Sequence, residues 1–208
     1  MREIYGKEPD LCRVTRHASG GKIFTEDFYS MNNRLIWMDL EMTGLDSQKD
    51  VILEIGAVVT DGNLDIVAEA PTVIIHYPPE ILAGIDEWSK SHHEASGLLE
   101  RVRQSSIDCR QAEKMMLSFI SQHCVKGGSP LCGNSVWQDR LFLIKHMPDL
   151  EAFFHYRIID VSSIKELVGR WYPDLPPYEK AMAHRSLSDI RESIEELKYY
   201  RSKVFIRR

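Results

Sequence analysis

The sequence predicts a single α/β domain in which a mixed sheet carries helices on its faces. Three observations support this fold class. The first half contains three strand-like runs in succession, the second half alternates helical and strand patterns, and no low-complexity tract or linker divides them. At 208 residues, of which 43% are apolar, the chain is long enough to bury a core within one domain.

Apolar, β-branched runs predict the strands. The first three cover residues 34–40, 51–61 and 64–76, and the turn Asp61-Gly62-Asn63 is typical of a hairpin between the second and the third. Two shorter strands follow, in "SPLCGNS" and in "RIIDVS". The sheet is therefore expected to have five strands.

Apolar residues at helical spacing predict five helices, over residues 86–93, 108–124, 135–146, 163–172 and 186–201. Ser135 with Gln138, and Ser163 with Glu166, have the spacing of a capping box, so both serines are expected to open their helices. The segment "WYPDLPP" ends the fourth helix, because proline cannot continue it.

Composition limits the location and the partners of the protein. The four cysteines form no CxxC pair, which argues against a zinc knuckle or a disulfide framework and suits a reducing compartment. No apolar run reaches the roughly 18 residues of a membrane span, and the acidic first thirty residues lack a signal-peptide core. We expect a soluble cytoplasmic protein without membrane contact. Residues 1–30 are expected to be a flexible extension before a domain at 31–208, with Met31 as an alternative start.

The net charge is -5, and Lys and Arg are dispersed along the chain apart from a short basic C-terminal end, so the sequence shows no long basic track for nucleic acid. Proteins that grip long nucleic acids through their phosphates normally present a basic face. Either the substrate is not a nucleic acid, or it is small enough to be held in a pocket.

Two carboxylates lie inside the first apolar strand. Asp39 and Glu41 are two residues apart, so strand alternation places both on one face, about 6.5–7 Å apart. Neighbouring carboxylates repel and are costly to bury, whereas a divalent cation such as Mg²⁺ compensates both effects. The simpler alternative is a strand end at which solvated acids need no ligand.

Three further residues extend this pattern. Asp139 and Asp189 each lie one turn into a predicted helix, where an acid also serves the helix dipole or a capping box. His184 precedes Asp189 by five residues, in the turn before the helix. A neutral imidazole there is placed to take a proton from a water held near that acid. Glu54, in "VILEIG", is interpreted as a supporting or structural acid.

The motifs "DLEMTGLD", "GNSVWQD" and "HRSLSD", in this order, resemble those of the DEDDh exonucleases, which have a ribonuclease H-like fold. The stretches "EWSKSHHEASGL" and "YRIIDVSSIKEL" are similar to the oligoribonuclease family within that group, and the resemblance spans about residues 33–201. It implies a 3′-to-5′ exoribonuclease that degrades very short RNA, down to dinucleotides, to 5′-mononucleotides.

The resemblance also implies residue roles. Asp39, Glu41, Asp139 and Asp189 would hold two Mg²⁺ or Mn²⁺ ions, which clamp an in-line displacement at phosphorus, and His184 would be the general base.

The same resemblance implies the substrate contacts and a homodimer. Leu45 would wedge between the bases, Trp88 would stack on a base, and His93 would line the pocket. A cap for the 5′ phosphate would consist of Ser135, Arg157 and Ser162, with Tyr156 supplied by a second subunit. Trp137 departs from the smaller or polar residue expected of relatives.

Two other functions stay open at this point. A general DEDDh nuclease for longer RNA or single-stranded DNA would share the chemistry but need an open groove. A catalytically silent dinucleotide-binding module would be expected to have lost an acid or the histidine, and this sequence has kept them all.

Overall fold

The computed structural model describes residue 31 and residues 33–179 and 186–205. The expected extension at residues 1–30 lies outside this part of the chain, and so does His184.

Six strands in the described residues form one mixed sheet. They are β1 (Leu35–Met42), β2 (Ile52–Thr60), β3 (Ile66–Glu69), β4 (Val73–Ile74), β5 (Leu131–Gly133) and β6 (Ile158–Asp160). The strand order is β3-β2-β1-β5-β6, and β4 also pairs with β2. The meander strands are antiparallel, whereas β5 and β6 are parallel to β1 and to each other. The predicted α/β class with a mixed sheet is confirmed.

The sheet has six strands rather than five because the run at residues 64–76 is divided. Its two parts, β3 and β4, pair with opposite ends of β2, and Pro71 lies between them. Proline has no N–H to donate to a strand ladder, so the pairing is interrupted there.

Helices pack around this sheet. In the described residues they are α1 (Pro79–Leu82), α2 (Glu87–Ala95), α3 (Leu98–Gln104), α4 (Cys109–His123), α5 (Val136–His146), α6 (Pro148–Glu151), α7 (Val161–Trp171) and α8 (Ser186–Lys203). The sequence predicted five of them and missed the short helices α1, α3 and α6. Local caps explain two starts: Asp86 caps α2, and Asp108 forms a capping box with Gln111 at the start of α4.

Of the two predicted serine caps, one is right in position only and the other is wrong. Ser135 is the N-cap residue of α5, which begins at Val136, but it has a left-handed backbone (φ 51°) and no side-chain cap bond, so the predicted capping box does not form. Helix α7 begins at Val161, before Ser163, and its N-cap is Asp160, whose carboxylate accepts from the Ser162 N–H. The serine hydroxyls are therefore available for other bonds.

The two faces of β1 belong to different cores. Ile36, Met38 and Leu40 pack in the core that contains α4 and α5. Trp37 faces the other way, into the core with Ile190 of α8. Because alternate residues of a strand share a face, Asp39 and Glu41 continue the Trp37 face toward α8. The fold thereby directs both acids to the helix that carries Asp189.

Candidate active site

Three of the predicted metal ligands meet at the end of β1. Oxygen atoms of Asp39, Glu41 and Asp189 all lie within 4.8 Å of one another. Asp39 and Glu41 share one strand face, as the alternation predicted, and Asp189 comes from the first turn of α8. Asp189 is 150 positions from Asp39 and 148 from Glu41 in the chain, yet the three side chains form one carboxylate cluster. The distances between their oxygen atoms are ones that one or two cations can bridge.

The fourth predicted ligand, Asp139, adjoins this cluster from the first turn of α5. It is only 7% exposed, and its Oδ1 accepts from the backbone N–H of Leu40, between the two strand acids, at 3.0 Å. After burial, the charge of Asp139 is the largest cause that raises the pKa of Asp39. Its carboxylate is thus fixed against β1 and next to Asp39.

Burial and mutual repulsion disfavour the ionised cluster. The pKa of Asp39 is raised well above its usual range, first by burial and then by Asp139 and Glu41. Burial, with the charges of Glu54 and Asp189, raises the pKa of Glu41 to about 7. These carboxylates therefore need a proton or a cation at neutral pH.

The pKa of Asp139 is also raised to about 7, mainly by burial, although the bond from the Leu40 N–H opposes the rise. Hard oxygen donors, high negative charge density and partial burial are what Mg²⁺ and Mn²⁺ select in proteins. The donor set therefore fits these divalent cations.

Glu54 supports the cluster from β2. It is buried, it lies opposite Glu41 in the strand register, and Arg101 contacts its Oε2 at 3.2 Å. Its Oε1 accepts from the Ser186 hydroxyl at 2.7 Å and from the Ser186 N–H at 3.3 Å. Because Ser186 is the first residue of α8, Glu54 holds the start of the helix that presents Asp189.

A glycine allows this close approach. A Cβ on Gly56 would lie 2.8 Å from the Ser186 hydroxyl oxygen, so a larger residue would push α8 away from β2. Glu54 was predicted to be a supporting or structural acid, whereas Arg101, Gly56 and Ser186 were not predicted. Their only signal was a charged residue inside an apolar strand, because the contact partners are far apart in the chain.

His93 is buried beside Glu41. Its Nε2 lies 2.8 Å from the carbonyl oxygen of Met42 and must donate to it, while Nδ1 is 3.9 Å from Glu41 Oε2. Burial lowers the pKa of this imidazole. The side chain predicted to line the substrate pocket thus directly adjoins a cluster carboxylate.

Leu45 stands at the tip of a turn with many internal bonds. Asp50 organises the turn, because its carboxylate accepts from the Thr43 hydroxyl and from the Asp46 N–H, both at 2.9 Å. Gln138, next to Asp139 on α5, donates from Nε2 to the Leu45 carbonyl at 2.6 Å. The Leu45 side chain is 74% exposed. A large apolar side chain is therefore exposed to solvent on a turn whose backbone is held by hydrogen bonds.

Trp88 is similarly exposed. It lies in the first turn of α2, its side chain is 69% accessible, and its ring lies against His92 with centroids 4.1 Å apart. A tryptophan is usually buried in a core, whereas this exposed indole is available for stacking on a base.

The predicted cap residues Ser135 and Ser162 are adjacent. Their hydroxyl oxygens are 3.2 Å apart, and the Ser135 N–H points to both Ser162 Oγ and Asp160 Oδ1, each at 3.0 Å. The backbone of Ser135 is left-handed at this point, with a φ of 51°. Such strained backbone in a non-glycine residue clusters at functional sites.

Arg157 and Tyr156, which are adjacent in the chain, form an exposed pair. The Arg157 guanidinium carbon lies 5.2 Å from the centre of the Tyr156 ring, and the Tyr156 side chain is 71% exposed. Arg140 fixes the backbone by donating to the Tyr156 carbonyl at 2.9 Å.

Trp137, the residue that departs from the expected pattern, lies on α5 and is 54% exposed. Leu141 and Ile144 of the same helix are also exposed. At spacings of four and three these side chains form one apolar stripe along the helix.

Comparisons with known proteins place these residues in context. A family model described as "Exonuclease" matches residues 36–197. The oligoribonuclease of Dichelobacter nodosus is 56% identical over 174 residues, which cover 84% of this chain and 96% of the relative. The oligoribonuclease of Pseudomonas aeruginosa PAO1 is 53% identical over 168 residues, or 80% and 93% of the two chains. A probable oligoribonuclease of Dictyostelium discoideum is 52% identical, covering 84% and 92%.

Solved structures show the same fold. Exonuclease I of E. coli, in complex with a dT13 oligonucleotide, matches with a TM-score of 0.64 at 13% sequence identity. The match covers 82% of this chain and 41% of that one. At this identity the likeness shows the fold alone, which is the expected ribonuclease H-like architecture.

Proposed function

The chain belongs to the oligoribonuclease family of exonucleases, and on this premise we propose how its residues remove mononucleotides from the 3′ end of very short RNA, down to dinucleotides. The observation that carries the proposal is the cluster of Asp39, Glu41 and Asp189, whose oxygen atoms lie within 4.8 Å of one another, with Asp139 fixed beside them.

We assign these four carboxylates to two Mg²⁺ or Mn²⁺ ions. When bound, such a pair polarises the phosphoryl group, lowers the pKa of a bound water and stabilises the leaving oxygen. The protein supplies the oxygen ligands and fixes their directions. Glu54 contributes by anchoring α8 through Ser186, so that Asp189 stays facing β1.

His184 is the proposed general base, although it lies outside the described residues. What supports the assignment is its sequence position, two residues before Ser186 and five before Asp189. Glu54 holds Ser186, the first residue of the helix that carries Asp189, by two hydrogen bonds. An imidazole with an ordinary pKa near 6.5 accepts a proton at neutral pH.

Exposed apolar side chains would hold the bases. In this proposal Leu45 separates the two bases and Trp88 stacks on one of them. Both side chains are more than two-thirds exposed, and both lie on backbone that is fixed by hydrogen bonds. An aromatic–base stack contributes about 1–3 kcal/mol, so a pocket of this kind needs no long basic surface. The net charge of -5 is then no obstacle to binding short RNA.

The cap for the 5′ phosphate would consist of Ser135, Ser162 and Arg157. Arginine presents several donors in a planar fork that matches phosphate oxygens, and the Ser135 hydroxyl adds another donor. Ser162 gives its own hydroxyl proton to Asn134 Oδ1 and holds Ser135 in place by accepting from its N–H, each at 3.0 Å. Such a cap closes the pocket at one nucleotide from the scissile bond, which is why the shortest RNA is the preferred substrate.

A homodimer would complete this cap. The apolar stripe of Trp137, Leu141 and Ile144 lies exposed along α5, and burying it against a second copy removes it from water. Tyr156 is also exposed, and the proposal has it reach the cap of the partner subunit. The cytoplasmic location stays a prediction; none of the helices in the described residues is long and apolar enough to cross a membrane.

A cleavage assay over RNA lengths of two to twenty nucleotides tests the function. The rate is expected to be highest for the dinucleotide, to fall with length and to vanish in EDTA. If a 20-mer is cut as fast as the dinucleotide, the substrate is general single-stranded nucleic acid. Tight dinucleotide binding without a mononucleotide product would instead indicate a silent binding module.

Mixed dimers test the cross-subunit cap. A Tyr156→Ala chain and an Asp139→Asn chain, each inactive or weak as a homodimer, are co-expressed with different tags. The mixed dimer should recover about half of the parent activity, since one site then has both an intact cluster and the partner's tyrosine. Activity no greater than that of either homodimer would remove Tyr156 from the cap.

A further inference from the structure

Hydrogen bonds connect the proposed cap to the helix that carries Asp189, and Asn134 is at their centre. Its Oδ1 accepts from the Ser162 hydroxyl at 3.0 Å. Its Nδ2 donates to the Ser193 hydroxyl at 2.7 Å and to Glu196 Oε2 at 3.1 Å, both on α8. The amide oxygen of Asn134 thus bonds to the cap, and the amide nitrogen bonds to α8.

The buried Glu196 fixes the direction of this amide. Glu196 has no solvent exposure, and its Oε1 accepts from the Tyr200 hydroxyl at 3.0 Å. A carboxylate only accepts hydrogen bonds, so the nitrogen of the Asn134 amide must face it. The amide oxygen therefore faces Ser162 and takes the single hydroxyl proton of that serine. The network is partly buried, and every donor and acceptor named in it has a partner, which restricts its motion.

This network acts on both ends of the site. Ser162 Oγ, directed by Asn134, is left to accept from the Ser135 N–H at 3.0 Å. Ser193, which accepts from Asn134, donates to the backbone carbonyl of Asp189 at 2.8 Å. The same amide therefore holds the two cap serines and the turn of α8 that presents a cluster carboxylate.

We propose that Asn134, oriented by Glu196, is a positioning residue that sets the span between the 5′-phosphate cap and the carboxylate cluster. The inference rests on the proposed function, because it needs the cap. Asn134 acts through Ser162 in this account and touches no substrate. A fixed span selects RNA whose 5′ phosphate and scissile phosphate are one nucleotide apart.

The test compares kcat/KM for a diribonucleotide with a 5′ phosphate and for the same diribonucleotide with a 5′ hydroxyl. In Asn134→Leu, whose side chain has a similar volume but no hydrogen bonds, the ratio of the two values should fall about tenfold, the order expected for a lost hydrogen bond. The 5′-hydroxyl substrate should lose less than about threefold. A merely structural role would lower both substrates together.

Thr60→Val is the matched control. Thr60 Oγ1 accepts from the buried Trp37 Nε1 at 3.0 Å, so the variant also breaks a buried hydrogen bond, but away from the cap. It should lower Tm and leave the ratio unchanged. Ser193→Ala removes one of the two acceptors of the Asn134 nitrogen, and it should lower the ratio by a smaller factor even if Asn134→Leu does not fold.

A double-mutant cycle separates this inference from the cap itself. Asn134→Leu combined with Ser162→Ala should have the same ratio as Ser162→Ala alone, because Asn134 acts through that serine. Additive losses, or an unchanged ratio in Asn134→Leu or Ser193→Ala, would overturn the inference while the cap stands. If Ser162→Ala alone leaves the ratio unchanged, the proposed cap is wrong and the inference is overturned with it.

Discussion

Replacing Asp139 by asparagine should make the metal-free protein more stable and the enzyme inactive. Asparagine keeps an oxygen that accepts from the Leu40 N–H, the bond that Asp139 Oδ1 makes at 3.0 Å. It removes the charge that, after burial, contributes most to raising the pKa of Asp39. The variant therefore keeps the local structure and loses the repulsion.

The pKa of Asp139 sets an upper limit on the stability that the metal-free protein gains in this variant. It rises from 3.8 to about 7 on folding, and one pKa unit corresponds to about 1.4 kcal/mol. The ionised carboxylate therefore destabilises the metal-free fold by at most roughly 4 kcal/mol. Because folding raises this pKa, the favourable contribution of the protonated group is complete below pH 3.8 and is lost as the pH rises through about 7.

Thermal unfolding in EDTA at pH 5 and pH 8 measures the effect. Since part of the repulsion relaxes in the parent, we expect the free energy of unfolding of the variant to be about 2 kcal/mol higher at pH 8. This corresponds to a Tm about 4–8 °C above that of the parent, and the difference should be smaller at pH 5. Magnesium should stabilise the parent and not the variant, and dinucleotide cleavage should fall by at least about a thousandfold. The exposed Asp65, replaced by asparagine, is the control and should change neither quantity.

Two results would refute this reasoning. If the Asp139→Asn variant melts at or below the parent in EDTA at pH 8, the carboxylate is not repelled within the cluster. If magnesium stabilises the variant as much as the parent, Asp139 is not a ligand.

Three further outcomes are expected. Trp88→Ala should raise KM about 5- to 150-fold with little change in kcat, because base stacking contributes about 1–3 kcal/mol, while Trp88→Phe keeps most of the affinity; unchanged steady-state kinetics would exclude the stack. Leu141→Glu, in the apolar stripe of α5, should elute as a monomer in size-exclusion chromatography, and a dimeric elution volume would place the interface elsewhere. Magnesium affinity, measured by calorimetry, should rise as the pH increases from 6 to 8, because Glu41 and Asp139 have pKa values of about 7 and must lose protons to bind the ion; a flat profile would contradict this.

The sequence predicts those parts of the site that depend on local periodicity. Alternation along β1 placed Asp39 and Glu41 on one face, and that prediction is confirmed. The convergence of Asp189 on them came only through the resemblance to a family, because no local pattern brings α8 to β1.

Features that depend on long-range contacts were missed or misread. The capping box at Ser135 does not form, because the N–H of this serine bonds instead to Asp160 and Ser162, 25 and 27 residues away. The backbone of Ser135 is also left-handed. The anchor between Glu54 and Ser186 spans 132 residues. Spacing rules carry no information about such partners, whereas a buried acid in an apolar strand does signal that one exists.

The division of residues 64–76 into β3 and β4 could have been predicted from the sequence. Pro71 was visible inside the run at residues 64–76, and a proline argues against an uninterrupted strand. The prediction nevertheless gave more weight to the β-branched residues on both sides of the proline. Both halves do pair with β2, but as two separate strands.

The most direct test of the central claim counts the Mn²⁺ ions bound per chain, by electron paramagnetic resonance in the presence of a diribonucleotide. Two ions are expected for the parent and fewer than two for Asp39→Ala, with cleavage lost in that variant. Equal manganese binding by the parent and the variant, or cleavage by a protein that binds no manganese or magnesium, would contradict it.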